Sequence, residues 1–203
     1  MLDLNVTDIL GIWPSGIYEN LFNNDLKKIT RIRKLLIEPF FSNKPWTKAL
    51  EGKKVLVIHP FQNTIEQQYK KRKLLFKNNL LPDFDLKTIK AVTSYLDEKT
   101  EFKTWFDALD SMKKQMDQID YDIALIGCGA YGFNLAAHAK KSGKKSVHLG
   151  GALQILFGII GSRFENPLVA DGIYLKLFNE HWVRPSNEEK PKSYKSFEGG
   201  AYW

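Results

Sequence analysis

The chain has a single cysteine, Cys128, so no internal disulfide can form. Such scarcity points to a reducing compartment. No cysteine cluster and no closely spaced histidine pair occurs, so zinc-type ligand spacing is absent. Long apolar runs are missing too: the run around 155–160 falls well short of the ~20 residues that a membrane span requires. The opening segment, MLDLNVTDILGIW, lacks a basic stretch followed by a long apolar one, so no secretory signal is expected. These absences predict a cytoplasmic protein without a transmembrane segment.

What is present bounds the rest. With 203 residues the chain can build one substantial core, burying roughly 70% of its unfolded surface. Its 43% hydrophobic and 26% charged residues suit a globular domain. Thirty basic against 23 acidic residues give +7, which fits an anionic partner: a nucleotide diphosphate, nucleic acid or an acidic membrane face. No stacking or groove-reading motif accompanies the charge, so no specific nucleic acid is expected.

Residues 1–50 read as a helical, partly irregular arm. Leu21, Leu26, Ile29, Ile32, Leu36 and Ile37 recur near helical spacing and predict an amphipathic helix ending before Pro39. Trp13 and Trp46 are expected to pack this arm onto the core. An α/β domain then spans 51–184. VLVI at 55–58 reads as a strand buried on both faces and is followed by His59-Pro60. Asn63 or Thr64 caps the next helix in this reading, and Thr64 with Gln67 has capping-box spacing. Further strands are expected at 86–92, 123–126 and 146–149. A long Met- and aromatic-striped helix runs over 102–119, a second helix ends at Gly143, and a short apolar one covers 152–158. This alternation predicts a Rossmann-like, doubly wound parallel sheet. Residues 185–203, polar and proline-bearing, read as a loose C-terminal tail whose last residues, Ala201-Tyr202-Trp203, can dock back.

In an open α/β sheet, ligands collect beyond the carboxyl ends of the strands. Four loops are expected there: 59–64, 93–94, 127–132 and 148–154. Gly127, Gly129 and Gly132 are spaced G-x-G-x-x-G between a strand and a helix, the context that a phosphate-binding turn requires. In that reading Gly127 permits the turn, Gly129 admits a phosphate, and Gly132 brings helix and sheet together. A tight turn that holds nothing satisfies the same pattern. Dinucleotide binding asks for an Asp or Glu at the end of the next strand, and His148-Leu149-Gly150-Gly151 stands there instead. A general phosphate cradle remains.

His59 and His148 fall at strand ends, where imidazole can bond a phosphate, move a proton, or bridge loop backbone. Thr64, Gln68 and Arg72 share one helix face. Cys128 reads as a small residue in a tight turn. The D-x-D pairs Asp83/Asp85 and Asp120/Asp122 precede their strands, at the edge opposite the loops.

Several of these segments carry a resemblance. VLVIHPF at 55–61 with the following TI, QY and R, DIALIGCGAYG at 122–132, LAAH, GKK, VHLGGALQILFGI at 147–159, and HWVRPS at 181–186 resemble bacterial proteins of polysaccharide-biosynthesis clusters. The similarity covers most of residues 50–186. These proteins are in turn similar to GT-D-type glycosyltransferases, which transfer a sugar from a nucleotide-sugar to a growing glycan. The resemblance implies a nucleotide-sugar, or another nucleotide diphosphate, as ligand and a glycan as possible acceptor. It implies that Gly127, Gly129, Tyr131 and Gly132 face the diphosphate and that His59, Thr64 and His148 add contacts. Gly150, Gly151, Gln154 and Arg184 would meet sugar or phosphate. An N-terminal Asp-x-Glu signature, tied to nucleotide and metal binding in GT-D enzymes, occurs nowhere in this sequence. The chain reads as beginning late relative to the group, so a divalent metal is expected only if a missing segment supplies its ligands. The catalytic base stays unassigned, and a non-catalytic binding or scaffolding protein is the alternative.

Overall fold

The computed structural model describes residues 3–12, 29–93, 99–196 and 198–203. Four strands, β3 (Lys54–His59), β4 (Asp85–Lys90), β5 (Ile123–Ile126) and β6 (Lys145–His148), form a parallel sheet in the order β4-β3-β5-β6. Two earlier strands, β1 (Ile9–Ile12) and β2 (Thr30–Arg33), pair in parallel as a separate ribbon, Ile9 opposite Thr30. The helices are α1 (Gln62–Lys70), α2 (Arg72–Leu75), α3 (Trp105–Asp117), α4 (Gly132–Lys141), α5 (Ala152–Leu156) and α6 (Ser162–Glu165). Among the described residues, no helix is long and apolar enough to cross a membrane.

The run VLVI forms the centre of the sheet because each of its side chains finds a covered face. Val55 and Val57 pack with Ile65 and Tyr69 of α1 and with Leu153 and Leu156 of α5. Leu56 and Ile58 point the other way, onto Leu109, Met112 and Met116 of α3 and Leu135 of α4. Period-two alternation thus feeds two apolar layers, as a sheet covered on both faces requires. The result is a mixed α/β fold compatible with a Rossmann-like arrangement. The chain steps outward from β3 to β4, returns to β5 on the far side of β3, and continues out to β6. The winding reverses between β3 and β5, the position at which open α/β sheets generally place a ligand crevice beyond the strand ends.

Local chemistry sets the ends. The Thr104 hydroxyl accepts from Asp107 N–H (3.1 Å), and Asp107 accepts from Thr104 N–H (3.0 Å), a capping box that opens α3. Helix α4 closes in a Schellman turn: Gly143 N–H reaches Lys140 C=O and Lys144 N–H reaches Ala139 C=O, with Gly143 at φ 76°.

Two expectations are corrected. The predicted amphipathic helix to Ile37 is, over the described part, strand β2 followed by a short 3-10 turn, Lys34–Leu36. The short Thr-Arg-Ile-Arg stretch pairs with β1, and its isoleucine spacing only mimics a helical stripe. Trp13 and residues 21–28 of that reading lie outside the described residues. Trp46 is half-buried and donates from Nε1 to Ile37 C=O (2.7 Å), tying this segment down. The second correction concerns residues 185–203, which are no loose tail. Glu189, Ala201 and Trp203 are buried, and Ser162 and Arg163 donate backbone N–H groups to the carbonyls of Trp203 and Ala201.

Candidate functional site

The carboxyl edge at the reversal point is largely filled by the protein itself. His59 is buried, its Nδ1 accepts from Phe61 N–H (3.0 Å), and its ring lies against Gly127. A Cβ added at Gly127 would stand 2.7 Å from Gly150 C=O, 2.8 Å from the His59 ring and 2.9 Å from Leu153. The first glycine of the motif is therefore needed for packing between three loops. Gly132 is needed likewise, because a side chain there would run into the His148 ring.

Only the middle glycine meets the expectation of an open approach. Gly129 has φ 55°, a left-handed conformation that favours glycine, and nothing lies within 4 Å of where its Cβ would be. It opens a 3-10 turn, Gly129–Tyr131, that leads into α4, and no side chain caps that helix. The neighbouring Tyr131 does not face this space: it is buried and stacks on Trp105, ring centroids 5.0 Å apart at 6°. Cys128 is buried as well, and burial pushes its thiol up to about 12, which leaves it un-ionised.

Both histidines are held neutral. Burial pushes His59 down to about 3 and His148 down to about 4. The His148 Nε2 is enclosed beside Gly132 without a hydrogen-bond partner. His148 and Gly150 also line a cavity of about 600 Å³ that runs between the β1–β2 ribbon and the β6–α4 edge. Leu10, Ile37, Trp46 and Phe133 give it an apolar wall, and Asp8 and Lys140 contribute charge.

The other predicted residues are engaged by the C-terminal segment. The buried Glu189 carboxylate accepts from Asn63 N–H (2.7 Å), Thr64 N–H (3.3 Å) and the Thr64 hydroxyl. An anion thus sits on the first turn of α1, as the dipole and free N–H groups there favour, and the carboxylate is intramolecular. This corrects the capping reading: neither Asn63 nor Thr64 caps α1, which starts at Gln62, and Glu189 from far along the chain does so. Ser186 N–H donates to the Thr64 hydroxyl (3.0 Å) and the Ser186 hydroxyl donates to Glu189 (3.1 Å). The Tyr202 ring covers Gly151, where a Cβ would come within 2.5 Å of it. Gln154 is fully buried, and its amide donates to the carbonyls of Ile159 and Tyr202, both at 3.3 Å. Arg184 is exposed and paired with Glu165. Gln68 donates to Gly158 and His181 carbonyls, and Arg72 pairs with Asp83 (2.6 Å).

The acidic pairs act at the opposite edge. Asp122 accepts from Lys54 N–H (2.8 Å), and Asp120 pairs with the Lys54 side chain. Among the described residues no group of three His, Cys, Asp or Glu side chains is arranged to hold a metal ion. Of the expected loop 93–94, Ser94 lies outside the described residues. Sequence reasoning missed Glu189, since a carboxylate in a charged, proline-flanked stretch gives no sign of a buried destination. Comparison with protein-family models, curated proteins and solved structures finds no match.

Proposed function

We propose that this protein is a Rossmann-like, doubly wound nucleotide-binding protein of the cytoplasm. In this reading the diphosphate of a nucleotide-sugar rests on the Gly129 turn, in a glycosyltransferase-like role in cell-surface polysaccharide assembly. The observation that carries it is Gly129 itself: left-handed, with open space over it, at the uncapped start of α4 and beside the reversal of strand order. Backbone N–H groups there supply donors without a charged side chain. The resemblance of the strand–glycine turn–helix segment to polysaccharide-cluster proteins supports the choice of nucleotide-sugar, with a glycan as acceptor.

A second reading is a binding or scaffolding protein without catalysis. It is favoured by the state of the two histidines, both neutral and packed, with His59 Nδ1 committed to a backbone donor. Neither is poised as a base at neutral pH.

Calorimetric titration with UDP-, GDP- and CMP-sugars, with and without manganese, separates these. Saturable binding that Gly129→Val abolishes, together with sugar release or transfer, supports the first. Binding without turnover supports the second. No binding to any of them removes the nucleotide assignment.

A further inference from the structure

Four of the exposed large apolar side chains lie on two segments that touch each other. Leu36 is 67% exposed and Phe41 39%, both in the turns that follow β2; Leu168 is 87% exposed and Leu175 42%. The two segments touch. The Phe41 ring meets the Tyr174 ring edge-on at 5.9 Å, and the Tyr174 hydroxyl donates to Glu38 (2.6 Å). Between Leu168 and Leu175, residues Ala170, Asp171 and Gly172 take left-handed φ of 49°, 54° and 67°, which folds the chain back on itself. Gly172 sits close to both Pro167 and Leu175, so the turn brings the two ends of this segment together.

Cations occur on the same stretches of chain. Arg31, Arg33, Lys44, Lys48 and Lys176 are exposed, and none forms an ion pair with another described residue. Lys34 is partly exposed and pairs with Glu38 (3.0 Å). Of the carboxylates on these segments, Glu38 is buried under Lys34 and Tyr174, while Asp171 is exposed and subtracts one charge. A surface that combines exposed aliphatic side chains with unpaired arginine and lysine suits an interface that is anionic outside and apolar beneath.

We propose that this face, centred on Leu168, Leu175, Leu36 and Phe41, docks peripherally on an anionic lipid surface. The chemistry favours lipid over the other anionic partners. Nucleic acid is met by stacking aromatics and polar rims, whereas the most exposed groups here are leucines. A second copy of the chain, related by a twofold axis, would bring like charges together. The proposal is independent of the nucleotide site.

The test is co-sedimentation of the full chain with vesicles of phosphatidylcholine alone and of phosphatidylcholine mixed with phosphatidylglycerol. The protein is expected to pellet with the mixed vesicles only, and to be released by salt. Arg31→Ser and Arg33→Ser should each lower the partition about fivefold, and Leu168→Ser with Leu175→Ser about tenfold or more. These side chains are exposed, so the variants keep the fold, as unchanged circular dichroism would report. Phe106→Ser, at an exposed aromatic on α3 across the sheet, should leave the partition unchanged. Equal binding to both vesicle types, or equal loss with Phe106→Ser, would overturn the proposal. So would a dimer dispersed by Leu168→Ser, or oligonucleotide binding without vesicle binding.

Discussion

The three glycines of the G-x-G-x-x-G turn are required for three different reasons, and substitutions separate them. At Gly132 the obstacle is the His148 ring, so Gly132→Ala overpacks a helix–strand contact. Such overpacking costs about 1–3 kcal/mol and should lower the urea midpoint accordingly. At Gly129 space is free and only the left-handed backbone resists, so Gly129→Ala should cost about 1 kcal/mol. If Gly129→Ala proves the more damaging of the two, the assignment of packing to Gly132 is wrong. The histidines give a second residue-scale expectation. Their folded values, about 3 for His59 and about 4 for His148, lie below the ~6.5 of an unfolded histidine. In that window the unfolded chain binds protons which the folded chain excludes. Their contribution to stability is therefore complete above about pH 6.5 and is lost progressively as the pH falls toward those values. Urea midpoints should drop between about pH 7.5 and about pH 5, before most carboxylates titrate. A flat profile would mean that the rings are not enclosed.

At the scale of elements, the two central strands were legible because they are apolar on both faces, whereas the edge strands β4 and β6 are half-exposed and carry lysines. The expected strands match β5 at its observed bounds and β3 within one residue at each end. The β1–β2 ribbon was not legible. Its strands are four residues each, β2 carries two arginines, and the isoleucine and leucine spacing around it also fits a helix. Of the candidate site, the convergence of His59, Gly127 and Gly150 followed from strand ends, but its filling did not. That filling comes from Glu189, Tyr202 and Trp203, whose partners lie far off in sequence. Helix starts test this distinction. Thr104→Ala removes a local cap from α3 and should cost about 1 kcal/mol. Glu189→Ala removes a distant one and leaves the Asn63 and Thr64 N–H groups and the buried Thr64 hydroxyl without that partner. It should cost about 1–3 kcal/mol, read by thermal unfolding. Glu189→Gln, which keeps an acceptor oxygen, should recover part of the loss.

Taken as a whole molecule, the chain assembles its sheet from parallel pairs alone, each needing a crossover before it can close. The central ladder joins Val55 to Ile123, and the cap on α1 joins Thr64 to Glu189 across 125 positions. Closing such loops has an entropic cost that grows with their length, and chains dominated by distant contacts fold slowly. The first turn of α1 thus has no partner for its N–H groups until the C-terminal segment arrives. In pulse-labelled hydrogen exchange during refolding, the amides of Asn63 and Thr64 should gain protection later than those of Val57 and Leu125. Through the interval before that, the helix that begins beside His59 would present a bare positive end to solvent, ready to recruit whatever anion is at hand.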